Sequence, residues 1–196
     1  MISDDDLASL RFGMTAIPLP GGQPGDYEER LTQWFLERSF FRDFTYRNPP
    51  KKKGEELADV VILFGDVAFL VQVKAQHGKD EVRAWATEAI PKALKQVRAT
   101  HDSLVSGAVK TLANEVYGKI NFDPIAYPNR YGIIILAQDA EPFDPLELVP
   151  ELKEAAFPVF VFSLQDIEFI TLRFDTTINQ LSSFTFSHSL AHPFIH

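Results

Sequence analysis

The stretch Glu55-Glu56-Leu57-Ala58-Asp59-Val60-Val61-Ile62-Leu63-Phe64-Gly65-Asp66-Val67-Ala68-Phe69-Leu70-Val71-Gln72-Val73-Lys74 reads as two β-strands joined by a tight turn. Both arms are rich in Val, Ile, Leu and Phe, and Gly65-Asp66 is a pair that suits a primed two-residue hairpin turn. That turn sets the register. Phe64 faces Val67 and, counting back along both arms, Asp59 falls opposite Gln72 with Cβ atoms about 5 Å apart on one face. Lys74 is two residues beyond Gln72 and points to the same face. The other face is wholly apolar: Val60, Ile62, Phe64, Val67, Phe69, Val71 and Val73.

A carboxylate, a carboxamide and an ammonium therefore meet at the open end of an otherwise apolar hairpin. A charge at a core-facing position is costly unless it is paired or binds a metal. Two readings follow from the spacing: a salt bridge at the fraying end of a two-stranded ribbon, or a functional cluster.

Asp59 followed by Gln72-Val73-Lys74 resembles the PD-(D/E)XK nuclease signature in its Asp…Gln-x-Lys variant, the variant of Mrr-type restriction nucleases. The longer run, with a helix before and after, resembles a group of uncharacterised bacterial proteins that carry a similar hairpin. The resemblance covers roughly residues 26–137. It implies an α/β fold with a mixed central β-sheet flanked by helices, the restriction-endonuclease-like αβββαβ core. It also implies metal-dependent phosphodiester hydrolysis of nucleic acid, DNA rather than RNA, with Mg²⁺ or alternatively Mn²⁺. In that family a glutamate on the first helix often reaches the metal. Here Tyr27-Glu28-Glu29 stands at that point. Glu28 shares a face with Leu31 and Phe35 and is expected to point inward; Glu29, in line with Thr32 and Leu36, is the alternative. The resemblance thus makes Asp59, Gln72 and Glu28 the metal ligands and adds Lys74 to the catalytic set. The simpler reading of both glutamates is that they favour the helix dipole.

Outside the hairpin the chain reads as follows. Residues 1–25, rich in Pro and Gly, form an N-terminal arm. Asp26 is the expected N-cap of a helix over 26–40, and Asp43–Arg47 alternates as a short strand that Asn48-Pro49-Pro50 stops. Lys51-Lys52-Lys53-Gly54 is a basic loop, either solvated or meeting a substrate backbone with its lysines. A helix runs from Val82 to Leu104, or on to Val116, with Trp85, Ala89, Ala93, Val97 and Leu104 inward and Pro91 kinking it or starting a second segment. On this helix Lys92 and Gln96 are one turn apart; they touch substrate phosphate or the attacking water, or they belong to an ordinary exposed face. Residues 120–130 read as a loop, Tyr131–Ala137 as a central strand, 141–150 as a loop, and Phe157–Phe162 as another strand. Ser163-Leu164-Gln165-Asp166 is a capping box with Asp for Glu, opening a helix to about Phe174. In the tail, 177–196, His188, His192 and His196 are spaced for a zinc site, but Pro193 interrupts that span.

Composition bounds the rest. With 196 residues, 45% apolar and 23% charged, the whole chain 1–196 is expected to form one domain with a real core. There is no cysteine, which excludes disulfides, thiolate catalysis and cysteine-bound zinc. The acidic start Met1-Ile2-Ser3-Asp4-Asp5-Asp6 and the lack of a long apolar run point to a cytoplasmic protein without a membrane span. The net charge of −8 argues against a general nucleic-acid coat protein, yet the stretch from Lys74 to Lys119 is net basic. The expected partner is nucleic acid, DNA first, with a homodimer or protein partner through the tail as a further expectation. The competing function is a catalytically inactive module of the same fold that binds nucleic acid or protein in a bacterial defence or mobile-element system.

Overall fold

The computed structural model describes residues 25–52, 55–76, 81–137 and 143–173, with Pro18 and residues 20–22 ahead of them. The elements in order are α1 (Asp26–Phe44), β1 (Thr45–Arg47), β2 (Pro50–Lys52), β3 (Glu55–Glu56), β4 (Val60–Phe64), β5 (Val67–Ala75), α2 (Val82–Val105), β6 (Thr111–Asn114), β7 (Gly118–Asn121), β8 (Asn129–Ala137), α3 (Pro145–Leu148), a 3-10 turn (Pro150–Glu154), β9 (Val159–Ser163) and α4 (Leu164–Arg173). Five strands form one mixed sheet in the order β1-β4-β5-β8-β9. β1, β4 and β5 are antiparallel neighbours, and β5, β8 and β9 run parallel.

The hairpin forms with the expected register, Phe64 against Val67 back to Val60 against Val71. Gly65 takes φ 60° while Asp66 keeps negative φ, the pattern of a type II′ turn, which matches the twist of its strands. The apolar face (Val60, Ile62, Val67, Phe69, Val71, Val73) packs with Ile133 and Ile135 against Phe35, Leu36 and Phe40 of α1 and Ile167 of α4. The opposite face (Val61, Leu63, Ala68, Leu70, Ile134, Leu136) packs against Ala86, Ile90, Ala93, Leu94, Val97 and Leu104 of α2. The sheet is thus covered on both sides, and a strand as continuously apolar as Tyr131–Ala137 belongs at such a centre.

Several boundaries differ from expectation, each for a physical reason. Gly25, at φ 95°, is the residue that caps α1, and Asp26 is already helical. The helix breaks at Phe41 (φ 61°, ψ 152°), just past the expected end, and one more turn leads into β1. The break frees the Arg42 and Asp43 carbonyls to accept from the Asn114 side-chain amide, at 3.4 and 2.8 Å. The basic loop is instead a short ribbon, with Pro50 opposite Glu56 and Lys52 opposite Glu55. Pro91 lies inside one uninterrupted helix. Its missing donor removes the helix bond to the Thr87 carbonyl, at an exposed residue. That helix stops at Val105 rather than continuing to Val116. Gly107 (φ 66°) donates to the Leu104 carbonyl and Ala108 to that of Ser103, the paired bonds of a Schellman stop. Residues 111–121 then form the β6–β7 hairpin instead of helix and loop.

The capping box is made in both directions: Ser163 N–H donates to Asp166 Oδ2 at 2.7 Å, and Asp166 N–H to Ser163 Oγ at 3.0 Å. The arm up to residue 17, Lys53, and the tail with His188, His192 and His196 lie outside the described residues.

α2 packs tightly on the sheet at Gly132. A Cβ there would stand 2.6 Å from Val97 Cγ1, 3.0 Å from Val159 Cγ2 and 3.3 Å from Phe157. Gly132→Ala is expected to destabilise the fold by about 1–3 kcal/mol, the usual cost of overpacking, read as a lower urea midpoint at unchanged slope.

Candidate functional site

The chain reaches Asp59 through Leu57 and Ala58, which are buried but lie outside any ladder. Their backbone groups therefore need partners elsewhere. Leu57 N–H donates to the Pro49 carbonyl at 2.7 Å, and the Asp59 carbonyl accepts from Asn48 N–H at 2.9 Å. The Asp59 side chain turns to β5, where Oδ2 accepts from Val73 N–H at 2.6 Å. β4 begins only at Val60, so this carboxylate takes the place of a missing ladder carbonyl. Burial pushes the Asp59 carboxyl above its ordinary range, against the opposing pull of the Val73 bond and of Lys74, with Glu56 adding to the rise.

Gln72 is 2% exposed, and its side-chain oxygen Oε1 has no hydrogen-bond partner. A buried acceptor left unpaired costs about 1–3 kcal/mol, so this oxygen calls for an explanation. Lys74, next on the same face, is half-buried.

The α1 carboxylate that senses this cluster is that of Glu29. Burial raises its pKa first, then the charges of Asp59, Glu56 and Asp26, while Lys74 pulls the other way. Glu29 is in line with Thr32, Gln33 and Leu36, all buried. Glu28, the residue expected to point into the site, lies one position round the helix and is half-buried like Glu29. The buried stripe of α1 is itself polar, with Thr32, Gln33, Glu37 and Ser39 inside it, so both glutamates stand in line with buried residues.

Lys92 and Gln96 are not brought to this cluster. Both are exposed, on the side of α2 away from the buried Ala93 and Val97, and Lys92 Nζ lies 3.4 Å from Glu88 Oε2. Lys51 and Lys52 lie in β2, the ribbon whose return strand leads through Glu56 to Asp59, while Lys53 lies outside the described residues.

Among the described residues, no three Asp, Glu, His or Cys side chains are grouped to hold a metal ion. The donors on offer are the carboxylates of Asp59 and Glu29 and the unpaired amide oxygen of Gln72. All are hard oxygen donors, which suit Mg²⁺ or Mn²⁺ and not a thiophilic metal. The unpartnered Gln72 oxygen is what makes the set fit a cation, because an acceptor with no donor nearby is what such an ion would engage. Two residues of this region escaped sequence reasoning: Asn48, which holds the Asp59 carbonyl, and Thr100, which reaches Leu57. Thr100 had a visible signal, a hydroxyl standing in the apolar stripe of α2 between Val97 and Leu104.

Among the described residues, no helix is long and apolar enough to cross a membrane. Compared with protein-family models, curated proteins and solved structures, the chain matches none.

Proposed function

We propose that this protein hydrolyses phosphodiester bonds in nucleic acid, DNA before RNA, at a divalent-metal site built from Asp59, Gln72, Glu29 and Lys74. The observation that carries the reading is the Gln72 side-chain oxygen, buried and unpartnered on the same sheet face as Lys74 and one residue from Val73, whose N–H holds the Asp59 carboxylate. Helix, strand, hairpin, helix and a strand parallel to β5 follow one another in the order of the restriction-endonuclease-like core, which supports the reading without depending on the site.

Asp59, Glu29 and Gln72 would hold Mg²⁺ or Mn²⁺. When bound, such an ion supplies Lewis acidity toward a phosphate oxygen. Lys74 orients the attacking water and offsets charge that develops on the phosphorus oxygens in the transition state. Gln72 contributes an oxygen without charge, so the cation is held less tightly than a glutamate would hold it. Lys51 and Lys52 add point charges for the substrate backbone at the same end of the chain segment.

Two features favour the second reading, an inactive module of the same fold that binds nucleic acid or protein. Gln72 brings no charge, and one Asp59 oxygen is committed to Val73. One experiment separates the two. Linear, plasmid and single-stranded DNA, and RNA, are incubated with Mg²⁺ or Mn²⁺ and either wild type or Lys74→Ala. The nuclease reading expects cleavage by wild type that EDTA stops, and a loss of at least about 100-fold in Lys74→Ala. Cleavage that persists in Lys74→Ala refutes the site. No cleavage by wild type, with no metal-induced rise in Tm, leaves the binding module.

A further inference from the structure

Thr100 is 1% exposed and sits on the inward stripe of α2. A threonine inside a helix ordinarily bonds its hydroxyl to the carbonyl four residues back. Thr87 does this with Arg83 at 2.9 Å, and Ser103 does it with Ala99 at 2.6 Å. Thr100 does not. Its Oγ1 donates across the core to the carbonyl of Leu57, two residues before Asp59.

Leu57 is thereby held at both backbone groups, its N–H by Pro49 and its carbonyl by Thr100. Ala58 is 2% exposed and fills the space between them and Asp59. Asp59 is in turn held at its carbonyl by Asn48 and at its carboxylate by Val73. Gln33 of α1, one turn after Glu29, approaches Asn48 with Nε2 to Oδ1 at 3.5 Å. The Thr100 bond ties the backbone of this irregular segment to α2, against which Leu57 and Ala58 also pack. Without it, the Leu57 carbonyl would be a buried acceptor with no donor, and the local backbone would move to find one.

We infer that Thr100 is a positioning residue: through the Leu57 carbonyl it fixes where the Asp59 carboxylate stands against Gln72, Lys74 and Glu29. It touches neither substrate nor metal. The inference rests on the functional reading above for its significance, but the position of Asp59 can be read without any catalysis.

The test is a pair of variants whose structural and positional effects run in opposite directions. Thr100→Val keeps the shape and loses the hydroxyl. Thr100→Ser keeps the hydroxyl and loses a methyl group. The Asp59 carboxyl is followed by carbon-detected NMR titration in metal-free protein, and Mn²⁺ affinity and Tm are measured alongside. Thr100→Val is expected to shift the Asp59 titration and weaken Mn²⁺ binding roughly 10–100-fold, the range seen when the support of a metal ligand is lost. Thr100→Ser is expected to keep both, with a lower Tm from the missing methyl group. If the Asp59 titration moves equally in both variants, or in neither, the positioning role is wrong. If wild type binds no Mn²⁺ while Thr100→Val alone moves the titration, the positioning role stands and the metal-site reading falls.

Discussion

Asp59→Asn is expected to make the metal-free protein more stable near neutral pH while reducing metal-dependent cleavage by at least about 100-fold, more than the loss of a supporting residue alone would cause. The gain in stability follows from the direction of the Asp59 shift. Its carboxyl titrates above the ordinary value of 3.8 because burial penalises the charged form. Between that value and the raised one, the folded protein binds a proton that the unfolded chain has released. The contribution of Asp59 to stability is thus fully present below the ordinary value and is lost as pH rises through the raised one. Asparagine cannot ionise, so it escapes that loss, and its side-chain oxygen can still accept from Val73. The Tm difference should be positive at pH 7 and vanish in acid below the ordinary aspartate range. Glu29, shifted in the same direction by burial and by Asp59, adds to the same pH dependence. Added Mn²⁺ should raise the Tm of wild type and leave Asp59→Asn unmoved, since only a species that binds the native state stabilises it. A salt bridge of purely structural value would give the opposite result, with Asp59→Asn less stable at neutral pH.

The second large effect is expected at Glu37, which takes no part in the proposed chemistry. Glu37 is 7% exposed on α1, bonds the Arg47 guanidinium of β1, and lies 3.9 Å from Arg42 Nε. Arg42 pairs in turn with Glu115, at the turn between β6 and β7. Removing one partner of a buried pair typically costs about 3–5 kcal/mol, because the charge left behind is uncompensated. Here the Arg47 side chain is 39% exposed and can regain some water. Glu37→Ala should therefore cost about 2–3 kcal/mol. Glu37→Gln, which keeps a hydrogen-bond acceptor, should recover part of that. Urea unfolding of both variants measures it, and a loss below about 0.5 kcal/mol, ordinary for a surface position, would show that this network contributes little.

How much of this was legible beforehand depended on which physical signal dominated at each place. The hairpin register could be read because a two-residue turn with Gly65 leaves one pairing, and a slip of β5 by one residue would turn Gln72 and Lys74 toward the apolar side chains beneath α1. The central strand was evident from Tyr131–Ala137 alone, and the last helix from Ser163 and Asp166. The β6–β7 hairpin was not evident, because Leu112 and Val116 prolong the helical spacing of α2 and mask the stop at Gly107. The inward face of α1 was harder to read, because it carries buried polar residues that give no hydrophobic signal. Lys92 and Gln96 illustrate the same limit from outside: spacing put them on one face, and only packing could show which way that face looks.

The lead-in to Asp59 differs in kind from the strand it faces. Gln72 and Lys74 belong to β5, which has a neighbouring strand on each side and occupies the middle of the sheet. Asp59 hangs from a segment outside every ladder, held by single bonds to Pro49, Asn48, Val73 and Thr100. Leu57 and Ala58 anchor the segment in the core, but its backbone has no ladder bonds, so it is expected to open at lower free energy than the central strand. The constellation is thus expected to loosen first on its aspartate side, which hydrogen exchange at Leu57 and Val73 would report.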